Sequence, residues 1–198
     1  MKSIVLFNKD LRINDNLALY NATNNSNIVP IYIYDKKTHS FGDASKVWLH
    51  YSLKSLNKSL NNKLIIMKGD TLEIINEIIK HENIDSIYWN RSYEPKSIRT
   101  FIKLKKLLLD KKISVNSYNS YLLTEPSSIL KKDGQHYKVF TPFYNKTILQ
   151  KFRSTNNIQK IEYSNHNINS IPLNDLHLLP KHNWYTKIIS TWDISEQG

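Results

Sequence analysis

The sequence lacks cysteine, and glycine occurs only four times in its 198 residues. The lack of cysteine excludes disulfides, zinc–thiolate centres and thiol catalysis. A long hydrophobic run is also missing, because the apolar segment that follows Met1 ends at Phe7. This segment is too short for a signal peptide or a membrane span, so we expect a cytoplasmic protein that makes no membrane contact.

The scarcity of glycine bears on nucleotide binding. A dinucleotide-binding Rossmann domain carries G-x-G-x-x-G after its first strand, where residues 7–12 of this chain contain no glycine. The P-loop and the G-x-S-x-G elbow are also missing, which disfavours dehydrogenases, nucleotide hydrolases and α/β-hydrolases. The seven histidines have no metal-binding spacing. We therefore predict neither a catalytic residue nor a metal site.

The charge of the chain allows two interpretations. A net charge of +11 and a pI near 9.6 favour a polyanionic partner, since lysines near phosphates release counterions. However, lysine, asparagine and isoleucine are abundant together, as a biased codon usage would produce. The lysines also look spread along the chain rather than gathered in one basic block. Charge alone leaves the partner open.

Continuous apolar runs alternate with helical segments up to about residue 118. We predict strands at residues 4–7, 28–34, 64–67, 84–89 and 113–115. Runs without alternation are typical of parallel strands that are covered on both faces. The order βαβαβαβαβ with right-handed crossovers predicts an α/β fold, a doubly wound, Rossmann-like parallel sheet of five strands in the order 3-2-1-4-5.

The helical segments begin at recognisable start signals. We predict N-caps at Asn14-Asp15 and Asp43, a capping box that starts at Asp70, and a first helical turn at Pro95. Apolar residues at helical spacing give the buried faces, namely Leu49, Leu53, Leu56 and Leu60 after Asp43, and Ile98, Phe101, Leu104 and Leu108 after Pro95. Thr141-Pro142 predicts a further helix over residues 143–152.

The regular pattern fades in the last third of the chain. Residues 154–174 are rich in Asn and Ser and contain isolated proline, which is typical of a linker or surface loop. We therefore divide the chain into an α/β domain at 1–130, a helix that packs on it at 131–153, and an irregular linker at 154–198. Such a tail suggests that the linker leads to a further domain that is absent here.

Four segments resemble the photolyase/cryptochrome family, in the right order. Residues 6–19 are similar to its opening W-F-R-x-D-L-R-x-x-D-N-x-A-L, and residues 42–53 to its G-x-x-S-R-x-x-W/F-L-x-x-S-L helix. Residues 88–95 resemble Y-x-N-x-x-Y-E-P, and residues 137–143 resemble Y-x-V-F-T-P-F/Y. The end of the chain, residues 192–198, resembles the W-x-P-G-E-x-G stretch where the family's chain enters its helical domain.

The resemblance implies the N-terminal α/β domain of a deoxyribodipyrimidine photolyase, a carbon–carbon lyase. In that family a helical domain, absent here, binds FAD, whose excited reduced form splits pyrimidine dimers in DNA that are flipped into its pocket. The α/β domain carries an antenna chromophore, which is a folate, a deazaflavin or a flavin. The implied partners are damaged DNA, bound by the full-length protein, and the helical FAD domain. We expect a monomer that has no repair activity by itself.

The resemblance also suggests where an antenna chromophore would bind. Ligands of open α/β sheets lie beyond the carboxyl ends of the strands. The candidate residues for binding the antenna are Phe7, Asn8 and Lys9 after the first strand, Lys46 on the second helix, and Glu94, Lys96 and Ser97 after the fourth strand. Leu6 stands where the family usually has Trp, and Asn8 where it usually has Arg. Lys96-Ser97 occupies the position where folate-binding relatives often carry Glu. These departures disfavour a folate.

Structural roles explain several motif residues equally well. Asp10, Arg12 and Asp15 suit ion pairs and a helix cap around the first loop, and Trp48 and Trp89 suit packing. Two further functions also stay open. One is a cryptochrome-type photoreceptor fragment, and the other is an adenine-nucleotide-binding α/β module without light chemistry. A split or decayed gene whose product is inactive is a third possibility.

Overall fold

The computed structural model describes residues 1–38, 41–149, 155–158 and 160–198. Five parallel strands form one sheet in the order β3-β2-β1-β4-β5. Their bounds are β1 Lys2–Phe7, β2 Asn27–Tyr34, β3 Ile65–Lys68, β4 Ser86–Asn90 and β5 Ser114–Tyr118. The predicted fold class and strand order are confirmed.

Helices connect the strands and continue beyond them. Their bounds are α1 Leu17–Asn25, α2 Asp43–Ser59, α3 Thr71–His81, α4 Pro95–Asp110, α5 Phe140–Ile148 and α6 Thr186–Thr191. Short 3₁₀ turns occur at Pro126–Ser128 and Leu173–Leu176. Within the described residues, no helix has the length and apolar character required to cross a bilayer.

The sheet separates two apolar cores because side chains alternate along each strand. Val5 and Phe7 of β1 point into the core that contains Leu53 of α2. Ile4 and Leu6 point into the opposite core, which is filled from α3 and α4. The cavity described below lies on the α2 side, whereas the exposed side of α4 belongs to the other layer.

The predicted start signals are correct at two helices and displaced at two. Asp70 caps α3 by accepting from the backbone N–H groups of Leu72 and Glu73, and Pro95 occupies the first turn of α4. At α1 the N-cap is Asn16 and not Asn14-Asp15. At α2 the helix already includes Asp43, and Gly42 precedes it without a side-chain cap.

The predicted buried face of α4 is partly wrong. Leu104 and Leu108 are fully buried, but Ile98 is 39% exposed. Ser97 is the residue of the first turn that faces inward, with 1% exposure. Because each residue turns an α-helix by about 100°, the neighbour of an inward-facing Ser97 is rotated away from the sheet.

Helix α5 begins at Phe140, one residue before the predicted Thr141-Pro142 start. Its described residues include no buried side chain. The helix ends at Ile148 with Leu149 as its C-cap, and residues 150–152 of the predicted helix lie outside the described residues. The division of the chain at residues 130 and 153 therefore stays a prediction.

The tail lies along the outer edge of the sheet. Tyr163 forms an isolated parallel bridge with Ile28 of β2, and the N–H of Ile171 donates to the carbonyl of Ile66 in β3 at 2.9 Å. Further along, Leu176 is buried in the core on the α2 side. The tail thus satisfies backbone groups of β3, an edge strand, and of the first part of β2, which β3 does not cover.

Candidate functional site

A buried polar network fills the crevice between the carboxyl ends of β1 and β4. The Nδ2 atom of Asn90 donates to Asp10 Oδ2 at 2.6 Å and to Asn16 Oδ1 at 2.7 Å. The other carboxylate oxygen of Asp10 accepts from the backbone N–H of Asn8 at 2.8 Å. Asp10, Asn16 and Asn90 are each at most 2% exposed. The network therefore holds the loop after β1 in one conformation.

Tyr121 completes this network from the segment after β5. Its hydroxyl lies 3.2 Å from Asp10 Oδ1 and accepts from the backbone N–H of Lys9 at 3.0 Å. Burial, with the nearby Asp10 carboxylate adding to it, raises the pKa of Tyr121 far above its usual range. The hydroxyl therefore stays protonated and donates to Asp10.

The N-terminus of α1 has its backbone donors occupied by side chains of the protein itself. Free N–H groups at this position are what bind a phosphate in dinucleotide-binding folds. The three bonds are Leu17 N to Ser120 Oγ at 3.0 Å, Ala18 N to Asn90 Oδ1 at 3.1 Å, and Leu19 N to Asn16 Oδ1 at 3.1 Å. No free donor remains among these three amides for a nucleotide phosphate.

A cavity of about 400 Å³ lies beside this crevice, on the α2 side of the sheet. Such a volume is typical of small-molecule sites. Its lining comes from the loop after β1, from α2 and Phe41 two residues before it, and from the end of the tail. The lining residues are Asn8, Lys9, Leu11, Arg12, Phe41, Ser45, Trp48, Leu49, Ser52, Ser55, Ile194, Ser195 and Glu196.

Aromatic and cationic groups face each other across this cavity. Trp48 is 44% exposed although it belongs to a helix that packs on the sheet. The Nζ atom of Lys9 lies 5.7 Å from the ring centre of Phe41, which is within the range of a cation–π contact. Lys9 also forms an ion pair with Glu94 at the rim. The cavity thus combines flat aromatic surfaces with charged side chains, namely Lys9, Arg12 and Glu196.

Arg12 stabilises the loop that forms one wall of the cavity. Its guanidinium donates to the backbone carbonyls of Asn14, Asp15 and Ser120, the last at 2.6 Å. Its Nη2 atom also lies 4.0 Å from a carboxylate oxygen of Asp15. Because most donors of Arg12 are occupied by the loop, its main role is structural.

The tail closes the cavity from the other side. Glu196 accepts the backbone N–H of Ile13 at 2.7 Å and that of Asn14 through its second carboxylate oxygen. Hydrogen bonds to a charged acceptor are stronger than neutral ones. This carboxylate therefore fastens the end of the tail to the loop after β1, with Ile194 and Ser195 at the cavity wall.

The structure brings two of the seven candidate binding residues into the cavity wall, namely Asn8 and Lys9. Glu94 reaches the rim through its pair with Lys9. Phe7 lies beneath, in the core, at 2% exposure.

The other three candidates lie elsewhere. Lys46 pairs with Asp43 at 2.9 Å and does not line the cavity. Lys96 is exposed on α4. Ser97 is buried, and its hydroxyl has no hydrogen-bond partner among the described residues.

Sequence reasoning missed the aromatic wall and the tail. Trp48 occupies the W/F position of the motif in residues 42–53, so its place in that motif was a usable signal. Phe41 lies just before the same motif. No local sequence pattern identifies residues 194–196 as part of the cavity wall, because their position depends on the long-range contact between the tail and the loop after β1. Trp89, in contrast, is a packing residue as expected, at 3% exposure.

A sequence model of the family described as DNA photolyase matches residues 3–161. The deoxyribodipyrimidine photo-lyase of Agrobacterium fabrum is 39% identical over 145 residues, which cover 71% of this chain and 30% of that protein. Cryptochrome-2 of Arabidopsis thaliana is 32% identical over 154 residues, covering 74% and 25% respectively. The chain thus spans less than a third of the length of these two relatives.

Solved structures give the same relationship. A bacterial class III photolyase from Agrobacterium tumefaciens superposes with a TM-score of 0.89 at 33% identity, over 96% of this chain and 41% of that one. An archaeal photolyase from Sulfolobus tokodaii, described with two FAD molecules that imply a novel light-harvesting cofactor, gives a TM-score of 0.74 at 25% identity, over 89% of this chain and 41% of that one.

Proposed function

This chain belongs to the DNA photolyase family, and on that basis we propose that it is the N-terminal α/β domain of a light-dependent DNA repair protein. In this proposal the cavity between the loop after β1 and α2 binds the antenna chromophore. The observation that carries the proposal is that Trp48, Phe41 and Lys9 line the same partly open cavity, with Lys9 over the ring of Phe41.

The residues of the cavity suit a flat conjugated ligand. Trp48 and Phe41 provide ring surfaces for stacking, and Lys9 provides a charge that favours an electron-rich or anionic ring edge. The antenna chromophore would absorb light and pass the excitation energy to FAD in a second domain. The protein's part is to hold the ring system at a fixed distance and orientation, which the bonds to Asp10, Arg12 and Glu196 support.

Two of the remaining candidate residues have supporting parts in this proposal. Glu94 orients Lys9 through their ion pair, and Phe7 supports the loop from the core. Lys46, Lys96 and Ser97 lie outside the wall, and a role for them in binding the antenna has no support from the contacts. The absence of Glu at positions 96 and 97 favours a deazaflavin or flavin over a folate.

The occupied N-terminus of α1 argues against an adenine-nucleotide module. A phosphate at that position would have to displace bonds from Ser120, Asn90 and Asn16, which lie in a buried network. Identity does not separate repair from photoreception, because Cryptochrome-2 at 32% lies between the photo-lyases of Agrobacterium fabrum at 39% and Escherichia coli at 25%. Repair itself would require the helical FAD domain, and damaged DNA would bind to the assembled protein in the cytoplasm.

Helix α5 supports the presence of a second domain beside this one. Phe140 is 72% exposed, Tyr144 is 50% exposed and Ile148 is 51% exposed, and none of the helix's side chains is buried. Exposed apolar patches of this kind commonly mark interaction surfaces. We assign this face to contact with the helical FAD domain.

The test is binding of candidate pigments by the purified chain. A deazaflavin, a flavin, a folate and ATP are titrated separately, with tryptophan fluorescence as the signal. We expect one of the pigments to bind, with loss of binding in Trp48→Ala and retention in Trp184→Ala, a tryptophan of similar exposure outside the cavity wall. Binding of ATP alone, or pigment binding that Trp48→Ala leaves unchanged, contradicts the proposal.

A further inference from the structure

The positive charge of the chain is concentrated on α4 and the two residues after it. Residues 95–112 contain seven Lys or Arg residues and one acidic residue, Asp110. This segment therefore carries a net charge of +6, more than half of the +11 of the whole chain. The expectation that the lysines are spread evenly along the chain is wrong for residues 95–112.

All seven cations are exposed, and within the described residues none of them forms an ion pair. They are Lys96, Arg99, Lys103, Lys105, Lys106, Lys111 and Lys112. Arg91, just before the helix, differs in this respect because Glu125 neutralises it at 2.6 Å. The α4 cations thus keep their charge available to an external partner.

Four of these cations form one row along the helix. Lys96, Arg99, Lys103 and Lys106 follow each other at spacings of three, four and three residues, which places them on one side of an α-helix. The row is about 15 Å long at 1.5 Å per residue. It lies on the side of α4 opposite to Leu104 and Leu108, which are fully buried.

The row does not stabilise the helix that carries it. Like charges at i+3 and i+4 are unfavourable, and each neighbouring pair in the row has such a spacing. Lys96 and Arg99 also lie in the first turns, where the helix dipole favours anions, and the first turn contains no acidic residue. A contribution to the stability of α4 therefore does not explain why these four cations form a row.

We propose that this row, named here the α4 row and formed by Lys96, Arg99, Lys103 and Lys106, binds the phosphate backbone of double-stranded DNA. The contact is independent of base sequence and of damage. One DNA strand presents a phosphate about every 3.4 Å along the axis, and each neutralised phosphate releases a counterion. A straight row of unpaired cations about 15 Å long matches such a linear array of negative charge.

The arrangement of apolar residues favours DNA over a membrane surface. Ile102 and Leu109 are 64% and 53% exposed, but with about 100° of rotation per residue they lie beside the row and not at its centre. A helix that lies in a lipid interface turns its apolar side toward the lipid and its cations away. Arg99 and Lys106 lie about 160° and 180° from the mean direction of Leu104 and Leu108, further than Ile102 at about 140°, so cations occupy the outermost part of α4.

This inference does not depend on the antenna proposal, because the two surfaces belong to opposite faces of the sheet. The cavity lies between the first loop and α2, on the side of one core, whereas α4 covers the other core. A duplex on the α4 row would leave the cavity accessible. Failure of pigment binding and failure of DNA binding are therefore separate results.

The test measures binding of the complete chain to a short fluorescent duplex over a range of salt concentrations. The row variant combines Arg99→Gln, Lys103→Gln and Lys106→Gln. The control combines Lys36→Gln, Lys132→Gln and Lys181→Gln, three exposed lysines whose loss changes the net charge equally. We expect the slope of log K against log salt to become less negative by about 3 in the row variant, and to change little in the control.

Each alternative outcome overturns the proposal. The proposal is wrong if the unaltered chain does not bind the duplex, or if binding weakens equally in the row variant and the control. It is also wrong if the chain binds phosphatidylglycerol vesicles or an acidic peptide more tightly than the duplex. Ultraviolet-irradiated and intact duplexes should bind equally. Thermal unfolding verifies that the row variant folds, and the single variant Lys103→Gln should still change the slope by about 1.

Discussion

The Nδ2 atom of Asn90 lies 2.6 Å from the Oδ2 atom of Asp10, so one buried amide joins the end of β4 to the loop after β1. The Oδ1 atom of Asn90 also accepts from the N–H of Ala18 and the hydroxyl of Ser120. One side chain thus connects the crevice, the first helix and the segment after β5. The conformation of the candidate site depends on it.

Asn90→Leu should destabilise the protein strongly. The substitution leaves the buried Asp10 carboxylate without its closest donor and Ala18 N–H without an acceptor, which together cost about 3 kcal/mol or more. Urea unfolding measures the free energy. Asn116→Leu, at a partly exposed position of β5, is the control and should change stability by less than about 1 kcal/mol. Equal effects of the two substitutions would contradict the role of the network.

The N-cap of α3 should make stability depend on pH. A hydrogen bond from Lys37, followed by bonds from the N–H groups of Glu73 and Leu72, lowers the pKa of Asp70 against the opposing effect of burial. Because the folded-state pKa lies below the unfolded one of about 3.9, the charged carboxylate stabilises the fold above that value. This contribution is lost as the pH falls through the folded-state pKa.

Substitutions at Asp70 measure this contribution. Asp70→Ala should cost about 1 kcal/mol at neutral pH, and the difference from the unaltered protein should shrink in acid. Asp70→Asn keeps a capping acceptor, so it should retain most of the stability while losing the acid-dependent part. Thermal melts from neutral to acidic pH give both quantities. A difference that stays constant in acid would show that the charge of Asp70 does not contribute.

Release of the tail from the first loop should be visible by hydrogen exchange. Glu196→Ala removes the acceptor of the Ile13 and Asn14 N–H groups, so these two amides should exchange faster, and pigment affinity should fall as the wall loosens. Gln197→Ala alters an exposed neighbour and should leave both amides protected. Unchanged exchange in Glu196→Ala would mean that the loop is held without the tail.

The apolar face of α5 should make the isolated chain prone to association. Phe140 and Tyr144 stack at 5.6 Å on the surface, and the double variant Phe140→Ser, Tyr144→Ser removes this exposed pair. We expect less dye binding and less self-association on sedimentation, with thermal stability within about 0.5 kcal/mol because neither side chain is buried. Leu123→Ser, at a residue that is 78% exposed elsewhere, is the control and should not reproduce the effect.

The sheet was predictable because its signals are local. Apolar segments gave β1 to β4, whereas the predicted fifth segment, 113–115, overlaps β5 at only two residues. Asp70 marked a helix start whose cap depends only on its own next residues. The cap of α1 was misplaced because Asn14, Asp15 and Asn16 are all suitable cap formers in sequence. The choice falls on Asn16 because Asn90, far away in the chain, donates to the same Oδ1 atom that caps the helix.

The site was predictable only at its strand end. Asn8 and Lys9 follow from the rule that ligands lie at the carboxyl edge of a parallel sheet. Lys46 and Lys96 stay predictions, and neither lines the cavity, because a charge near a motif does not reveal which way its helix face turns. Glu196 could not be placed at all, since its contact with the first loop joins the two ends of the chain.

The bridge between Tyr163 and Ile28, and the bond from Ile171 to Ile66, have a consequence for synthesis on the ribosome. All five strands emerge before residues 161–171 do, so β3 and the first residues of β2 present an uncovered sheet edge to the solvent while translation continues. Neighbouring nascent chains have that interval in which to pair with it. Slower translation over residues 119–160 would lengthen the interval, and a chaperone that shields strand edges would matter most at that stage.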